Sequence, residues 1–397
     1  MSAHSTGTER FETIVVGGGQ AGLSVGYHLR RLGRPFLILD AGERVGDSWR
    51  IRWDSLRLFT PAWADALTGM PFPAPRNSFP SKDEMANYLE YYATRFELPV
   101  RLGVTVDHLS RRNGRFLVSA GAQRWEADHV VVAMSTWQQP TRPAYAAQLD
   151  PNIVQMHSAQ YRNPAQLGAG DVLVVGAGNS GAEVALDIAS THRTWLSGRH
   201  PGHLPFRIEG PLVRAVVLPL VLRLLFHRVL TLSTPSGRKL ARHLRQHGLE
   251  LVRTKPADLI AAGIQRTPRV VGVHDGLPQL EGGQVLDIAT IIWATGYRPG
   301  YSWIDLPVLD EDGYPVHKRG IAIAQPQLVF VGFPFAHSAS SGMVHGLGRD
   351  ARYVAAHIAA LASDHQRTEG WPAEKTSAQR TELPSEHLGY DSHPTPP

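Results

Sequence analysis

Residues 13–22 have the sequence TIVVGGGQAG. Its run of β-branched residues predicts a buried strand, and the glycines that follow predict a tight turn into a helix. A second apolar strand ends at Asp40, so the unit is β-α-β. In such a unit Gly17 permits the turn, Gly19 lets a pyrophosphate approach the backbone, and Gly22 lets the helix pack closely on the strand.

The acid that ends the second strand strengthens this interpretation. Asp40 lies 18 residues after Gly22, close to the roughly 20 residues expected for the carboxylate that binds a ribose hydroxyl. Glycine-rich turns also occur in α/β proteins that bind no nucleotide. Because strand, turn, helix and acid occur together here, we expect the first unit to bind a dinucleotide.

The same motif occurs a second time. Residues 171–181, DVLVVGAGNSG, repeat the strand and the turn, with Gly176, Gly178 and Gly181 in the three glycine positions. A helix and another strand follow, and Arg199 lies 18 residues after Gly181. The spacing of the first unit is therefore reproduced, which predicts a second dinucleotide site.

The two units differ in the residue at the end of their second strand. A carboxylate such as Asp40 would repel the 2′-phosphate of NADPH, whereas the guanidinium of Arg199 pairs with a phosphate. Ser197 lies beside Arg199 and is a further candidate contact. The sequence therefore predicts FAD in the first unit and NADPH in the second.

The repeated unit also predicts the fold. We expect an α/β protein with two doubly wound, Rossmann-like dinucleotide-binding domains, the NADPH domain being inserted into the FAD domain. The expected boundaries are 1–138 and 300–365 for the FAD domain, 139–299 for the NADPH domain with an apolar insertion at about 202–233, and 366–397 for a disordered tail.

Composition excludes several classes of chemistry. The 397 residues include no cysteine, which excludes disulfides, thiolate metal sites and a catalytic cysteine pair. The net charge of +5 favours anionic cofactors. No basic run with interleaved aromatic residues occurs, so we expect no nucleic-acid partner. The first residues contain no apolar stretch of signal-peptide length, and we expect a cytoplasmic protein.

The apolar insertion contains the most hydrophobic part of the chain. Arginines interrupt residues 211–232. A membrane-spanning helix needs about 20 largely uncharged residues, so we do not expect this segment to cross a membrane. We expect a packing or lid segment there, and contact with a membrane surface or an apolar substrate is the alternative. His243 and His247 have the spacing of helical metal ligands, but no third ligand accompanies them, so we expect no metal site.

Two further regions are candidates for cofactor contacts. Trp49 follows soon after the first unit and is a candidate to line the flavin, the alternative being simple packing. Gly346 and Gly348 stand before a long predicted helix. There they suit a backbone that lies against a planar ring, with the positive end of the helix near the flavin.

With these motifs the chain resembles the single-component, NADPH-dependent flavin-containing monooxygenases, particularly the bacterial relatives of YUCCA enzymes. The likeness covers nearly all of residues 11–360. It rests on GGGQAG, on GDSW at 46–49, on GAGNSG, and on ATGY at 294–297. The family fingerprint between the two loops keeps His157 and Tyr161, whereas Pro151 and Ile153 replace the usual phenylalanine and glycine.

The resemblance implies a reaction and two more site residues. NADPH would reduce FAD, oxygen would form a flavin hydroperoxide, and one oxygen atom would pass to sulfur, to nitrogen or beside a ketone of a small organic substrate. Thr60 aligns with a polar residue that relatives place near the flavin, and Thr295 lies in the ATGY motif. On this view the partners are a small-molecule substrate and molecular oxygen.

Two alternatives remain open at this point. One is an NADPH-dependent flavin reductase or oxidase of the same fold, which passes electrons to a quinone, a protein or oxygen without incorporating an oxygen atom. The other is a nucleotide-binding, membrane-associated regulatory protein that uses residues 211–232 as its interface. The sequence identifies neither the substrate nor the oligomeric state.

Overall fold

The computed structural model describes residues 8–369, apart from the side chains of residues 246–247 and 364–369. In chain order the strands are β1 (Glu9–Val16), β2 (Phe36–Leu39), β3 (Val100–Arg101), β4 (His108–Arg112), β5 (Arg115–Ala120), β6 (Gln123–Val132), β7 (Gln139–Pro140), β8 (Val154–His157), β9 (Val172–Val175), β10 (Thr194–Ser197), β11 (Gln265–Thr267), β12 (Val270–His274), β13 (Leu277–Leu280), β14 (Thr290–Trp293), β15 (Tyr297–Arg298), β16 (His317–Lys318), β17 (Ile321–Ala322) and β18 (Leu328–Phe330).

The helices are α1 (Gln20–Arg31), α2 (Asp47–Arg50), α3 (Lys82–Arg95), α4 (Asn179–Ile188), α5 (Pro235–His247), α6 (Pro256–Ala261) and α7 (Val344–Glu369). Short 3₁₀ turns cover Ala62–Ala64, Ala144–Gln148, Pro164–Gln166 and Ala339–Gly342. A further helix, here called the apolar helix, covers residues 211–229 and is π-helical at Val213–Val217 and Leu220–Val229.

The first sheet is built around β1. Its main order is β16-β17-β18-β6-β1-β2-β3, with β4 and β5 continuing from β6. Strands β3, β2, β1, β6 and β18 run parallel, and one face of the sheet packs against α1, α3 and α7. The strands added after β1 lie on one side of it and β6 lies on the other, so the strand order reverses beside β1, and ligands bind at the carboxyl ends of the strands at such a point.

The second sheet repeats this arrangement around β9. Its order is β11-β10-β9-β14-β8, and all of its neighbouring strands are parallel. Apolar side chains cover both faces, as the continuous hydrophobic strands require. The second sheet is formed by residues 154–293, whereas strands of the first sheet lie on both sides of this range. The predicted doubly wound α/β fold is confirmed, and the exact domain boundaries stay predictions.

Local signals in the sequence explain several elements. Ser81 caps α3, since its hydroxyl accepts a hydrogen bond from the Glu84 amide while the Glu84 side chain accepts one from the Ser81 amide. The predicted tail starts too early, because α7 continues to Glu369. Residues 370–397 lie outside the described residues.

Candidate functional site

The first glycine loop has the shape that a dinucleotide needs. Gly17 has a φ of +107°, and a Cβ there would lie 3.0 Å from the carbonyl oxygen of Ala133. A Cβ on Gly22 would lie 1.8 Å from the Gly17 carbonyl oxygen, so only glycine lets α1 approach the turn this closely. Gly19 caps α1, and a Cβ there would meet only the Ser48 hydroxyl at 3.9 Å. Space for a pyrophosphate therefore lies in front of the helix N-terminus.

Asp40 lies at the edge of this loop. One carboxylate oxygen accepts a hydrogen bond of 2.5 Å from the Gly18 amide, and the other accepts one of 2.8 Å from the Gly42 amide. These two bonds fix the carboxylate at the carboxyl end of β2, beside the turn. The position agrees with that expected of a ribose-binding acid, and the ribose contact itself stays a prediction.

Trp49 approaches the same loop from α2. Its indole nitrogen donates a 3.1 Å hydrogen bond to the side chain of Gln20, the first residue of α1. Gly46, which precedes α2, has a φ of +92°, and a Cβ there would lie 2.5 Å from the Ala86 carbonyl oxygen. This tight packing against α3 positions α2 so that Trp49 borders the loop, as the cofactor hypothesis requires.

The second loop reproduces the first in detail. Gly176 has a φ of +111°, and a Cβ there would lie 2.3 Å from the Ala294 carbonyl oxygen. A Cβ on Gly181 would lie 1.8 Å from the Gly176 carbonyl oxygen. Gly178 caps α4, and a Cβ there would meet nothing within 4 Å. The cradle is thus open in front of α4, and it fits a second dinucleotide.

The strand end of the second unit presents cations. Arg199 is exposed, and no hydrogen bond or ion pair of its guanidinium is seen within residues 8–369. Arg266 lies close by, because β10 and β11 pair in parallel with Leu196 opposite Arg266, and its guanidinium donates a 2.7 Å hydrogen bond to the Gly198 carbonyl. Sequence reasoning missed Arg266, since only the strand register brings it to this end of the sheet.

The prediction that Ser197 contacts the cofactor is not supported. Ser197 is fully buried, and its hydroxyl donates a 2.7 Å hydrogen bond to the Pro268 carbonyl. The same oxygen accepts a 3.1 Å bond from the Val270 amide. The side chain alternates to the interior of the sheet, where it ties β10 to the loop before β12, so it does not face the open cradle.

Thr295 lies where the chain crosses between the two sheets. Its hydroxyl donates a 2.5 Å hydrogen bond to the Thr141 carbonyl, and the Thr141 hydroxyl donates 2.8 Å back to the Thr295 carbonyl. Strands β7 and β15 pair antiparallel at the same place. The Thr295 hydroxyl is therefore engaged in holding the two crossing segments together, and its predicted contact with cofactor stays a prediction.

The two fingerprint residues make hydrogen bonds within the second unit, and His157 also contacts this crossing. His157 lies within hydrogen-bond distance of the Gly296 carbonyl through Nε2 at 3.2 Å, and its Nδ1 accepts from the Ala159 amide, which puts the proton on Nε2. Burial lowers the pKa of His157 below its ordinary value, so the ring is neutral at physiological pH. The Tyr161 hydroxyl donates 2.7 Å to Asp187 of α4. Both residues have structural roles here.

Gly346 and Gly348 do not precede the last helix, as predicted, but lie within its first turns, because α7 begins at Val344. A Cβ on Gly346 would lie 2.0 Å from the Ser340 carbonyl oxygen, and a Cβ on Gly348 would lie 2.4 Å from the Thr68 hydroxyl. Gly346 is thus required by close packing on backbone, whereas a side chain at Gly348 would require the Thr68 hydroxyl to turn away. Their contact with a flavin stays a prediction.

Thr60 has a partner that sequence reasoning missed. Its hydroxyl donates a short hydrogen bond to Asp65, which is fully buried. The other Asp65 carboxyl oxygen has no hydrogen-bond partner in the described part of the chain. Burial raises the pKa of Asp65 to about 8, so this carboxyl holds a proton at neutral pH. The stretch AWADA around it gives only a weak signal, an acid among small apolar residues.

A metal site among the described side chains would need a group of metal-ligating residues. Within residues 8–369, apart from the side chains left undescribed, no three His, Cys, Asp or Glu residues come close enough to hold a metal ion. We expect no metal site at His243 and His247 of α5, and the His247 side chain lies outside the described residues.

Comparison with known proteins identifies the family. The sequence profile of the family described as pyridine nucleotide-disulphide oxidoreductase matches residues 14–200. An uncharacterized CzcO-like oxidoreductase of Geobacillus kaustophilus is 36% identical over 86% of this chain and 97% of its own length. Indole-3-pyruvate monooxygenase YUCCA1 of Oryza sativa is 28% identical over 75% of this chain and 80% of its own.

A solved structure agrees with these relatives. The flavin-containing monooxygenase of Stenotrophomonas maltophilia superimposes with a TM-score of 0.71 at 27% identity, covering 89% of this chain and all of that one. Two dinucleotide cradles on two parallel sheets are the geometry that FAD and NADPH require. The chain therefore belongs to the flavin-containing monooxygenases, a family of FAD-dependent oxidoreductases that use NADPH.

Proposed function

We propose that the chain is an NADPH-dependent monooxygenase that transfers one oxygen atom to a small organic substrate, at sulfur or nitrogen or by insertion beside a ketone. One observation carries the proposal. The same glycine cradle is built twice, with a carboxylate at one strand end and, at the other, an arginine that has no partner within residues 8–369. Two nucleotides of different charge are thereby distinguished within one chain.

In this proposal the first loop holds FAD, through the open backbone at Gly19, the N-terminus of α1 and Asp40. Trp49 borders the same loop. Bound FAD supplies the redox chemistry, since it accepts a hydride from NADPH and reacts with oxygen. The chain contributes orientation and charge stabilisation.

The second loop holds NADPH in the same way. Gly178 leaves the pyrophosphate space open in front of α4. Arg199 binds the 2′-phosphate, and Arg266 adds a second positive charge to the same strand ends. A guanidinium without an acidic partner is suited to this task, because it loses no ion pair when the phosphate arrives.

The segment around Thr60 is the proposed catalytic region. It lies between α7 and the apolar helix, since Ala64 packs in one cluster with Leu218 and Leu222 and Gly348 abuts Thr68. The apolar helix thus covers this segment and keeps water out. Thr60 and protonated Asp65 together offer a neutral hydrogen-bonding pair beneath that cover.

The absence of cysteine narrows the electron acceptor. Members of the pyridine nucleotide-disulphide oxidoreductase family pass electrons by dithiol chemistry when a cysteine pair is present. This chain has none. Its electrons therefore leave for oxygen, for a small molecule or for another protein, and oxygen with a small substrate is the proposed outcome.

The test follows the visible spectrum of the purified protein. NADPH is added without oxygen, and the reduced protein is then mixed with air-saturated buffer. Monooxygenation predicts bleaching of bound flavin and reoxidation through a spectrally distinct intermediate, with labelled oxygen entering the product when a sulfide or ketone is present. Direct return of the oxidised spectrum with equivalent hydrogen peroxide would instead favour a reductase or oxidase, and absence of NADPH turnover would favour a regulatory nucleotide-binding protein.

A further inference from the structure

The apolar helix has an unusual winding that groups its side chains. Two stretches, Val213–Val217 and Leu220–Val229, are π-helical. The Leu230 amide donates a 2.8 Å hydrogen bond to the Leu225 carbonyl, the i→i+5 contact of such a helix. Because each turn contains more residues than an α-helical turn, residues four or five apart lie on one face.

This winding gives the helix two apolar faces. The inner face is buried, and Leu218 and Leu222 pack there against Ala64 and Ile208. The outer face consists of side chains that are between 38% and 71% exposed: Leu212, Val216, Leu220, Leu224, Leu225 and Val229. Soluble domains rarely expose so many neighbouring large apolar side chains without a partner. The inner face is explained by packing, and the outer face is not.

The charge around this face is equally uneven. Residues 210–249 contain no Asp or Glu and seven Lys or Arg residues, which are Arg214, Arg223, Arg228, Arg238, Lys239, Arg242 and Arg245. The whole chain has a net charge of +5, so the rest of the chain carries −2. The positive charge of the protein is therefore concentrated in the apolar helix and α5.

Among the described residues, most of these cations have no acidic partner. In the described part of the chain only Arg245 has a carboxylate within 4 Å, that of Asp310 at 3.9 Å. Arg223 stacks over the Trp63 ring at 4.6 Å, and Arg228 is exposed near the exposed Leu224 and Val229. An occupant of this face must accordingly bring both apolar and negatively charged groups.

We propose that the apolar helix seats this protein on an anionic lipid bilayer. The outer face enters the boundary between headgroups and acyl chains, and the arginines and Lys239 contact lipid phosphates. A second copy of the chain fits less well, because its equivalent face would add seven like charges and no acid. None of the helices among residues 8–369 is both long and apolar enough to cross a bilayer, so the contact is peripheral.

The experiment measures binding of the full-length protein to vesicles of phosphatidylcholine, with and without phosphatidylglycerol, by co-sedimentation. The test variant is Leu220→Gln with Leu224→Gln. The matched control is Ile260→Gln with Ile323→Gln, two apolar residues that are 73% and 64% exposed elsewhere. We expect anionic vesicles to bind the wild type and the control equally, and the test variant to bind them about tenfold or more weakly.

A second pair of variants tests the charge. Arg228→Gln with Lys239→Gln should weaken binding to anionic vesicles roughly tenfold, whereas Arg112→Gln with Arg124→Gln, exposed on the β4–β6 side, should not. Added salt should weaken wild-type binding. These charge substitutions alter exposed side chains, so they keep the test decisive if the leucine variant fails to fold.

Three outcomes would overturn the proposal. The first is that wild type does not bind anionic vesicles, and the second is that each control loses binding as much as its test variant. The third is a concentration-dependent dimer in sedimentation velocity that Leu220→Gln with Leu224→Gln abolishes while vesicles bind neither protein. Since none of these measurements uses NADPH turnover, they are independent of the proposed oxygenation.

Discussion

The two glycine loops have nearly the same backbone but different strand ends. Gly17 and Gly176 have φ values of +107° and +111°, and the added Cβ of Gly22 or of Gly181 would lie 1.8 Å from the first glycine's carbonyl oxygen. This close agreement means that the cradle itself does not decide which dinucleotide binds. It provides the site for a pyrophosphate in each case.

We therefore expect the residues at the strand ends to decide which dinucleotide each loop binds. Asp40 accepts two backbone hydrogen bonds and is fixed beside its loop. Arg199 makes no hydrogen bond or ion pair seen among the described residues and lies near Arg266, whose guanidinium is bound to the Gly198 carbonyl. One end presents a fixed acceptor and the other a free cation. We therefore expect one or two side chains at the edge of each sheet to specialise the duplicated unit for its own dinucleotide.

The largest effect should come from filling a cradle. Gly22→Ala forces its Cβ onto the Gly17 carbonyl, and we expect loss of bound flavin, equivalent to more than about 3 kcal/mol of binding free energy. Gly181→Ala should keep flavin and lose NADPH binding. Gly168→Ala, where a Cβ meets nothing within 4 Å, is the control. Flavin absorbance and NADP⁺ calorimetry measure the two sites, and equal loss of both ligands in both variants would break the comparison.

Arg253 tests how the two units are held against each other. It is a residue of the second unit, and its guanidinium donates 3.1 Å and 2.7 Å hydrogen bonds to the carbonyls of Arg57 and Leu58 while pairing with Glu183 at 3.3 Å. Arg253→Ala leaves Glu183 buried without its cation, so we expect a loss of about 2 to 4 kcal/mol in the free energy of unfolding.

Urea denaturation measures this loss. Arg207→Ala, which removes an exposed pair with Asp258, is the matched control and should leave the free energy of unfolding nearly unchanged. Arg253→Lys should restore part of the stability. If Arg253→Ala unfolds at the same urea concentration as the wild type, Arg253 does not clamp the two units.

Substitution of Arg199 tests directly whether this residue determines the preference for NADPH over NADH. Arg199→Ala should raise the NADPH concentration that half-saturates flavin reduction by about tenfold to a hundredfold, because a charge-assisted bond to the 2′-phosphate is lost. NADH, which lacks this phosphate, should be affected little. Arg193→Ala, which changes an exposed arginine that stacks on Trp195 at the opposite, amino end of β10, is the control. Unchanged preference for NADPH over NADH would remove Arg199 from the site.

The smallest effect concerns pH. Burial raises the pKa of Glu183 from 4.5 to about 7, with Arg253 opposing the shift. A raised folded-state pKa means that the neutral carboxyl stabilises the fold fully below about pH 4.5 and that this contribution is lost as pH rises through about 7. Relative to Glu183→Gln, the wild type should therefore lose about 2 kcal/mol between about pH 5 and about pH 8.

Equilibrium denaturation at several pH values provides the measurement. Glu281→Gln, a change of an exposed acid, serves as the control and should follow the wild type. A parallel pH profile for wild type and Glu183→Gln would mean that Glu183 is already ionised in the folded protein.

Much of the architecture could be predicted because it depends on local signals. The run before Gly17 and the run before Gly176 are continuous apolar stretches rich in β-branched residues, and the glycine spacing leaves little freedom for the turn. The Ser81 cap likewise depends only on residues close to it in the sequence. Such features depend on backbone sterics and on hydrogen bonds within a few residues, so they can be predicted without knowledge of the tertiary structure.

The parts that could not be predicted depend on contacts between distant segments. Arg266 reaches Arg199 only through the β10–β11 register. Ser197 turns inward because the Pro268 carbonyl lies opposite it. Asp65 becomes a buried, protonated acid only when the surrounding chain removes it from water. In each case the decisive neighbour is remote in sequence, and a side chain's type does not reveal its surroundings.

The winding of the apolar helix illustrates the same limit. Its composition predicts a helix with an apolar face, but the face that a residue occupies changes with the number of residues per turn. Leu222 is buried whereas Leu220 and Leu224 are exposed, and apolar residues on both faces leave the sequence without a signal for which face packs inward.

The assignment of FAD to the first loop and NADPH to the second is tested most directly by measuring how many nucleotides bind to one sample of wild-type protein. The flavin released on denaturation is identified and quantified, and the intact protein is titrated with NADP⁺ in a calorimeter. We expect one FAD and one NADP⁺ to be bound to each chain at the same time. The absorbance of bound flavin should not decrease when NADP⁺ binds. Displacement of FAD by NADP⁺, or the absence of a second site, would contradict the division of labour between the two loops.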